Sequence, residues 1–306
     1  MASALSVLPS FEKALFLSAA ERSQFEENGY LVIPNFWPEV ALARWENAVS
    51  DMMHIQALKI AALRAQLPRL DPTSYRSVED VDRVLTLLEG EDREAAYQGV
   101  MMIENTAAGR ATVSHPQLLD CASDLLGCPT ELLELAGPQP FINLPSTKRL
   151  LYHWHSETAY YPKRRNFLNV WFPIFRDKAT DNGTMVFCKG SHRIENRQFI
   201  EYQGFDKETH NKKNHFVQYE IPACEVAEYE KVSLEVSRRS LVVFHRALVH
   251  CSTPNPSALP SYATVMRVCD FRRDLTLSAN IAAVPFGTRA GYGGDYGRPG
   301  IEPLIY

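Results

Sequence analysis

The sequence has few cysteines, no long apolar run and little net charge. Its 306 residues include six cysteines, and none belongs to a CxxC pair, which excludes a disulfide-stapled scaffold and argues against structural zinc. No stretch approaches the roughly 18 consecutive apolar residues of a membrane-spanning helix, and the N-terminus has no signal-peptide pattern. A net charge of −4 gives no broad attraction to nucleic acid. We therefore expect a cytoplasmic protein with reduced thiols that binds neither membranes nor nucleic acid.

What the sequence does contain is an ordinary globular composition, 45% hydrophobic and 22% charged, whose pattern changes near residue 131. The first part, about 1–130, is predicted to be mostly helical. Ser18 and Glu21 form a capping-box pattern, and Gly29 is placed to end that helix before a short strand at Tyr30–Ile33. Apolar residues at helical spacing predict further helices over about 38–67, 77–89 and 116–126.

The second part, about 131–275, consists of short aromatic and β-branched runs separated by turn residues, which predicts a β-sandwich or jelly roll. A Gly/Tyr-rich tail, about 276–306, follows as ordered loop. Because no internal repeat or linker separates these parts, we expect one domain, 1–306, mainly β with flanking helices. The predicted strand runs are ELLEL, PFINL, LLYHWHSE, FLNVWFPI, TMVFC, HFVQYEI, VSLEV, SLVVFH and ATVMRV.

Histidine and glutamate share one face of a predicted strand. Side chains two apart on a strand point the same way, so His155 and Glu157 project together. One imidazole and one carboxylate supply two corners of the facial triad used by non-haem iron oxygenases. The third corner must come from elsewhere, and His250, just past the run SLVVFH, is the best candidate. Such a pair alone is common, however, and most often only packs or faces solvent.

Four motifs, in order, resemble the phytanoyl-CoA dioxygenase family. The resemblance implies a double-stranded β-helix (jelly roll, cupin-like) core. It also implies a non-haem Fe(II) enzyme that consumes 2-oxoglutarate and O₂, with ascorbate as a reductant. The motifs are FEENGYLVIPNFW (25–37), YHWHSETAYYP (152–162), NVWFPIFRDKATDNGTMVFCKGSHR (169–193) and VVFHRALVHCSTPNPS (242–257).

The resemblance assigns roles to individual residues. His155 and His250 match the family's two histidine ligands, and Glu157 takes the carboxylate position, where most members have Asp. The retained carboxylate disfavours a halogenase, whose relatives have a small residue there. Ser252 and Trp171 match positions that contact 2-oxoglutarate.

The sequence departs from the family at a second position. Members usually have an Arg about eleven residues after the distal histidine to bind the far carboxylate of 2-oxoglutarate, and Ser261 stands there. Arg267 lies six residues further along the same predicted strand, on the same face. Because a guanidinium can bind a carboxylate bidentately, we expect Arg267 to replace the missing Arg.

The other histidines have weaker claims. His153 is the main alternative to His155 as first ligand, although the carboxylate would then be four residues away. Packing, or a hydrogen bond to a ligand ring, suits His153 and His245 better than metal binding. The His192 ring is expected to pack its loop. Solvated or locally bonded positions are predicted for His54, His115, His210 and His215.

The resemblance implies oxidation of an unactivated C–H bond of a small organic molecule, with release of succinate and CO₂. Hydroxylation, desaturation and cyclisation all stay open, and natural-product biosynthesis is a suitable setting. Tyr160, Tyr161 and Arg164 are placed to line the pocket mouth, and the tail around Tyr292 and Tyr296 to cover it. Alternatives are a metal-dependent oxygenase or isomerase of this fold without 2-oxoglutarate, and a non-catalytic β-sandwich binding protein.

Overall fold

The computed structural model of the chain describes residues 15–67, 77–91, 102–145, 151–161, 166–203 and 217–273. The α-helices are α1 (Ala19–Asn28), α2 (Glu39–Lys59), α3 (Ala61–Arg64), α4 (Val78–Glu91), α5 (Ala107–Val113), α6 (Pro116–Leu126) and α7 (Ala223–Val226). The strands are β1 (Tyr30–Ile33), β2 (Leu133–Asn143), β3 (Phe167–Ile174), β4 (Met185–Cys188), β5 (Ile200–Gln203), β6 (Val217–Glu220), β7 (Lys231–Ser233), β8 (Leu241–His245), β9 (His250–Ser252) and β10 (Ser261–Asp270). Short 3₁₀ turns cover Met102–Asn105, Thr130–Leu132, Ser191–Arg193 and Phe271–Arg273.

Antiparallel sheets form the centre of the fold. The larger sheet has five strands in the order β1-β8-β3-β10-β2, and a smaller one has the order β7-β4-β9. Strands β5 and β6 form a separate antiparallel pair. The described part of the chain is thus a mostly antiparallel β structure with flanking helices.

The two faces of the large sheet are buried against different partners. On β3, alternate residues such as Leu168 and Phe172 belong to an apolar cluster with the helices. Between these layers, the Trp45 ring N–H on α2 donates to Thr264 Oγ1 over 2.8 Å. The opposite, inner face presents Trp171 to Phe187 of the small sheet. Because β3 is buried on both faces, it is apolar at every position except Asn169 rather than alternating.

Local signals located several elements correctly. The capping box of Ser18 and Glu21 forms, and Gly29 adopts φ 81° at the end of α1. The four cysteines Cys121, Cys128, Cys188 and Cys269 are buried, and all six are free thiols. These results confirm the predicted α1, its caps and the reduced thiols.

Two strand predictions need correction. The runs ELLEL and PFINL, predicted as two strands with a turn at Gly137-Pro138, form the single strand β2. A register shift at that point absorbs the extra residue of β2 opposite β10. The run LLYHWHSE is not a strand; only His155 forms an isolated bridge, to His250. Its backbone bonds to several different segments, with Tyr152 accepting from Ser252 and Trp154 from Ile221, and a turn begins at Glu157.

Several sequence predictions lie outside the described residues: those for Arg164, His210 and His215, and for the tail with Tyr292 and Tyr296. No helix in the described ranges is long and apolar enough to cross a membrane. The single-domain organisation and the cytoplasmic location stay predictions.

Candidate active site

The backbone brings two distant segments together at the inner face of the small sheet. Strand β9 pairs with β4 on one side, and on its other side His250 bridges to His155. The two residues exchange both backbone N–H···O bonds, each 2.9 Å long. Two residues on, the N–H of Glu157 donates to the carbonyl of Arg246 over 2.9 Å. His155 is therefore fixed by hydrogen bonds to β9, and Glu157 by a hydrogen bond to the segment between β8 and β9, rather than by a strand of their own.

The three side chains predicted as metal ligands converge. His155, Glu157 and His250 are all buried, and each offers a ligand atom within 4.8 Å of the other two. His155 Nε2 lies 3.7 Å from Glu157 Oε1, and the two imidazole centroids are 4.2 Å apart. Ligand atoms so placed can share one ion.

Both imidazoles are oriented by main-chain carbonyls. His155 Nδ1 lies 2.6 Å from the carbonyl oxygen of His153, and His250 Nδ1 lies 2.9 Å from that of Leu248. A carbonyl only accepts, so each Nδ1 carries the proton and donates, which leaves the Nε2 lone pair for a metal. Burial, reinforced by the neighbouring His155, lowers the pKa of His250 to about 3, so this ring is neutral at pH 7.

Arg267 holds the carboxylate of Glu157. Its Nη2 and Nε donate to Glu157 Oε2 over 2.9 and 3.3 Å, while the other oxygen, Oε1, is the one near His155. Burial raises the pKa of Glu157, but the charge of Arg267 and the contacts with both histidines outweigh it. The net effect is a pKa well below the usual range, so the group is a carboxylate.

This donor set fits a ferrous ion. Two imidazole nitrogens and one carboxylate oxygen are the ligands of the 2-His-1-carboxylate triad, which leaves further coordination positions for small molecules. The protein supplies the complementary features: two imidazoles whose Nδ1 atoms are bonded to carbonyls, an ionised carboxylate, and burial of all three residues.

Aromatic rings surround the triad. Tyr152 and Tyr160 lie with ring centroids 5.2 and 5.7 Å from His155, and Phe244 and Phe187 lie 4.9 and 6.1 Å from His250. The immediate surroundings of the ligand atoms are thus rich in aromatic rings, and such a low-polarity environment strengthens charge interactions.

The other residues predicted for the site are Ser252, Trp171, Arg267 and Tyr161, and they lie at different places around the triad. Ser252 follows His250 by two residues on β9, so both share one face. Trp171 packs in the inner apolar cluster. Arg267 contacts Glu157, and Tyr161 lies against Arg267, 4.9 Å from its guanidinium carbon to the ring centroid. The 2-oxoglutarate contacts of Ser252, Trp171 and Arg267 stay predictions.

His153 and His245 both lie off the ligand set. His153 is exposed, and its carbonyl accepts from the His155 ring. His245 accepts a hydrogen bond from the Ala247 N–H over 3.1 Å, and its ring lies 5.4 Å from that of His192. The prediction that His192 packs its loop agrees with its contact to the Glu26 carbonyl, 3.1 Å away.

Two polar residues of the interior were missed by the sequence. Asn169 is 1% exposed, and neither side-chain polar atom has a hydrogen-bond partner among the described residues. It lies opposite Arg267 in the sheet, and its alternation with Trp171 along β3 was the signal that could have revealed it. Lys178 is also buried, in the segment after β3. Its position in a turn-rich segment gave no such signal.

A buried 2-His-1-carboxylate site inside an antiparallel β core defines the class of mononuclear non-haem iron oxygenases. The comparison with protein families then gives the particular assignment. The chain belongs to the phytanoyl-CoA dioxygenase family, whose model matches residues 25–260. It is accordingly a non-haem dioxygenase that uses iron, 2-oxoglutarate and O₂, which confirms the predicted family, enzyme class and cofactors.

Known proteins agree with this assignment. A probable phytanoyl-CoA dioxygenase of Caenorhabditis elegans is 24% identical over 246 residues, covering 78% of this chain and 71% of the relative. The crystal structure of the epimerase SnoN with Fe³⁺, alpha-ketoglutarate and nogalamycin RO is 15% identical, covers 94% of this chain and 92% of that chain, and has a TM-score of 0.55. EctD from S. alaskensis with bound Fe is 16% identical, covers 85% and 79%, and has a TM-score of 0.52. At these identities the two crystal structures are similar to this chain in fold.

Proposed function

We propose that the chain oxidises an unactivated C–H bond of a small organic molecule, with iron held by His155, Glu157 and His250. The outcome is hydroxylation, desaturation or cyclisation of that molecule. In each case one 2-oxoglutarate and one O₂ are consumed, and succinate and CO₂ are released. We also propose that the two facing sheets form a double-stranded β-helix of the jelly-roll type. The expected ligands are small molecules, not nucleic acid or membranes.

One observation carries this proposal: the convergence of three ligand atoms within 4.8 Å. Two residues come from one segment and the third from about 95 positions later, a spacing that chance packing does not favour in a buried site. The Nδ1 bonds strengthen the argument, because both rings are held in the tautomer that a metal needs.

Iron bound there would supply oxygen activation coupled to the oxidative decarboxylation of 2-oxoglutarate. The chain's own residues do the rest. Backbone carbonyls hold the two imidazoles, Arg267 holds one carboxylate oxygen of Glu157 so that the other faces the histidines, and the surrounding rings exclude water.

The aromatic side chains near the triad favour a substrate with apolar or ring surface. Tyr160 packs edge-on against Tyr219, with ring centroids 5.1 Å apart, and its hydroxyl accepts the Tyr219 N–H over 3.3 Å. Burial raises the pKa of Tyr160, so the hydroxyl is neutral. A wall of rings with few charges suits an uncharged or weakly charged small molecule, such as a natural-product intermediate.

The test begins with metal and co-substrate binding without O₂. We expect the wild-type protein to give a visible absorption band when Fe(II) and 2-oxoglutarate are added anaerobically, and succinate on admission of O₂. His155→Ala and His250→Ala should lose the band while keeping the far-UV circular dichroism of the wild type.

His153→Ala is the matched control. It removes an exposed imidazole two residues from His155 but keeps the carbonyl that orients the His155 ring. The band should survive in this variant. Loss of the band in His153→Ala and its survival in His155→Ala would show that His153, and not His155, is the metal ligand. Iron binding without succinate formation would favour an oxygenase or isomerase independent of 2-oxoglutarate, and no iron binding would favour a non-catalytic binding protein.

A further inference from the structure

Lys178 is a buried cation surrounded by neutral partners. It is 4% exposed, and its Nζ donates to the Gly183 carbonyl over 3.0 Å and to Ser261 Oγ over 2.5 Å. Its backbone is fixed by two hydrogen bonds with Val236, of 2.9 and 2.8 Å. No carboxylate in the described ranges forms an ion pair with it. An ammonium in such surroundings is costly unless an anion joins it.

The Lys178 ammonium and the proposed metal site contact residues on the same, inner face of β10. The pairing of β10 with β3 runs without a shift from Tyr262 to Cys269, so side chains alternate regularly and Ser261 shares a face with Arg267. Ala263, between them on that face, packs in the inner apolar cluster. Arg267 marks the end of the row beside Glu157. Lys178 and Ser261 mark the other end.

The separation between the triad and the Lys178 ammonium can also be followed along β9 and the residue after it. Thr253 is three residues beyond His250, which is roughly 10 Å along an extended chain. Thr253 exchanges hydrogen bonds with Thr184, the N–H of Thr253 donating to the Thr184 carbonyl over 2.9 Å. Thr184 follows Gly183, whose carbonyl accepts from Lys178. The ammonium thus lies within reach of a short dicarboxylic acid that is bound at its other end to the triad.

The two cations of this face differ in availability. Arg267 makes two hydrogen bonds to Glu157, within the proposed metal site. Lys178 has no charged partner in the described part of the chain, and burial lowers its pKa to about 7. A carboxylate beside it would stabilise its protonated form.

We propose that Lys178, assisted by Ser261, binds the carboxylate of 2-oxoglutarate that is remote from the metal. This inference rests on the proposed function. Lys178, from the segment after β3, would bind the carboxylate that the family's usual arginine at position 261 would bind. This assignment competes with the sequence prediction for Arg267. The Ser261 hydroxyl, which donates to the Asn182 carbonyl over 2.5 Å, positions the ammonium.

The test removes the charge from the protein and from the ligand in turn. Binding of 2-oxoglutarate and of 2-oxopentanoate, which has the same five carbons but lacks the second carboxylate, is measured anaerobically by calorimetry on Fe(II)-loaded protein. In Lys178→Met we expect 2-oxoglutarate to bind about 10- to 100-fold more weakly, as for loss of a charged hydrogen bond. The affinity for 2-oxopentanoate should change less than about 2-fold, because no partner of that ligand is removed.

Controls separate a specific contact from damage. Lys59→Met makes the same change on an exposed lysine of α2 and should bind both acids as the wild type does. Lys178→Gln is the second variant if Lys178→Met does not fold, and the same loss of about 10- to 100-fold in affinity for 2-oxoglutarate is expected. Arg267→Met tests the competing assignment and should retain the preference for 2-oxoglutarate over 2-oxopentanoate.

Three results would overturn the proposal. In the first, Lys178→Met binds 2-oxoglutarate with wild-type affinity while Arg267→Met loses the preference between the acids. In the second, Lys178→Met weakens both acids equally, which indicates altered packing. In the third, the iron-loaded wild type binds neither acid; this result alone also removes the proposed function, whereas the first two leave that function intact.

Discussion

Replacement of Arg267 by methionine tests the electrostatics of the metal site in depth. The variant removes the guanidinium but keeps much of the apolar stem, so that packing changes little. Glu157 then loses both hydrogen bonds to its Oε2, in a site where its side chain is 9% exposed. The carboxylate becomes a buried charge whose remaining neighbours are the two histidines.

Breaking a buried ion pair by removing one partner costs about 3–5 kcal/mol. We therefore expect the free energy of unfolding of metal-free Arg267→Met to fall by about that amount at pH 7. A divalent ion on the triad restores a positive charge beside Glu157 and should recover part of the loss. Fe(II) should consequently stabilise the variant more than it stabilises the wild type.

The assay is urea denaturation under anaerobic conditions, with a chelator and with saturating Fe(II), followed by circular dichroism. Arg83→Met is the matched control, since Arg83 and Asp80 form a half-exposed pair 3.6 Å apart, and such pairs contribute about 0–1 kcal/mol. Equal losses in the two variants would refute the reasoning. So would equal stabilisation of Arg267→Met and the wild type by Fe(II).

Three further outcomes follow from other groups. Because burial lowers the folded-state pKa of Lys178 to about 7, from 10.5 when unfolded, the unfolded chain binds the extra proton between these values. The wild type should gain stability relative to Lys178→Met as the pH rises from 7 to 10.5, measured by urea denaturation at pH 7 and 9.5. Glu46 is a buried acceptor for Arg238 and for a backbone N–H, so Glu46→Gln should lower the unfolding free energy by about 2–4 kcal/mol. Glu39 binds the same Arg238 at an exposed position, so Glu39→Gln should cost under about 1 kcal/mol by the same assay. Ser18→Ala should cost about 1 kcal/mol in thermal unfolding through loss of the α1 cap.

Features encoded within a few residues could be predicted from the sequence. The first helix was located because Ser18 and Glu21 bond to each other's backbone and Gly29 adopts a left-handed conformation. The strand FLNVWFPI was identified because a sheet buried on both faces selects apolar residues throughout. Signals of this kind need no knowledge of the rest of the fold.

Features set by distant partners were only partly predictable. His155 and Glu157 share a face, but not because their segment is a strand: one residue bridges to His250 and the next bond goes to Arg246. The spacing in the sequence supplied two corners of the triad. The third, His250, was a candidate because it lies just past the run SLVVFH, and the family resemblance supported it; nothing local to His250 indicates which segment it will meet.

The interior charges depended most on register. Arg267 and Ser261 were correctly placed on one face of β10 by their even spacing. Which charged residue each would contact could not be predicted, because Glu157 and Lys178 belong to other segments of the chain. A shift of one residue in β10 would turn both side chains to the opposite face of the sheet. The pattern of β10 predicts that face, but it does not identify the residues of other segments that lie against it.

The two departures from the family pattern are connected through β10. A Glu at position 157 extends one methylene further than Asp, and Arg267 binds one of its oxygens on the inner face of that strand. At the strand's other end a Ser in place of Arg leaves room for the ammonium of Lys178, which bonds to it directly. If an arginine stood at position 261, the inner face of β10 would carry two guanidinium groups. The buried Lys178 beside position 261 would then be a third cation, and among the described residues it has no ion pair with an acid. The substitutions at the two ends therefore make sense together: one cation of β10 serves the metal's carboxylate, and the cation that serves the co-substrate enters from the segment after β3.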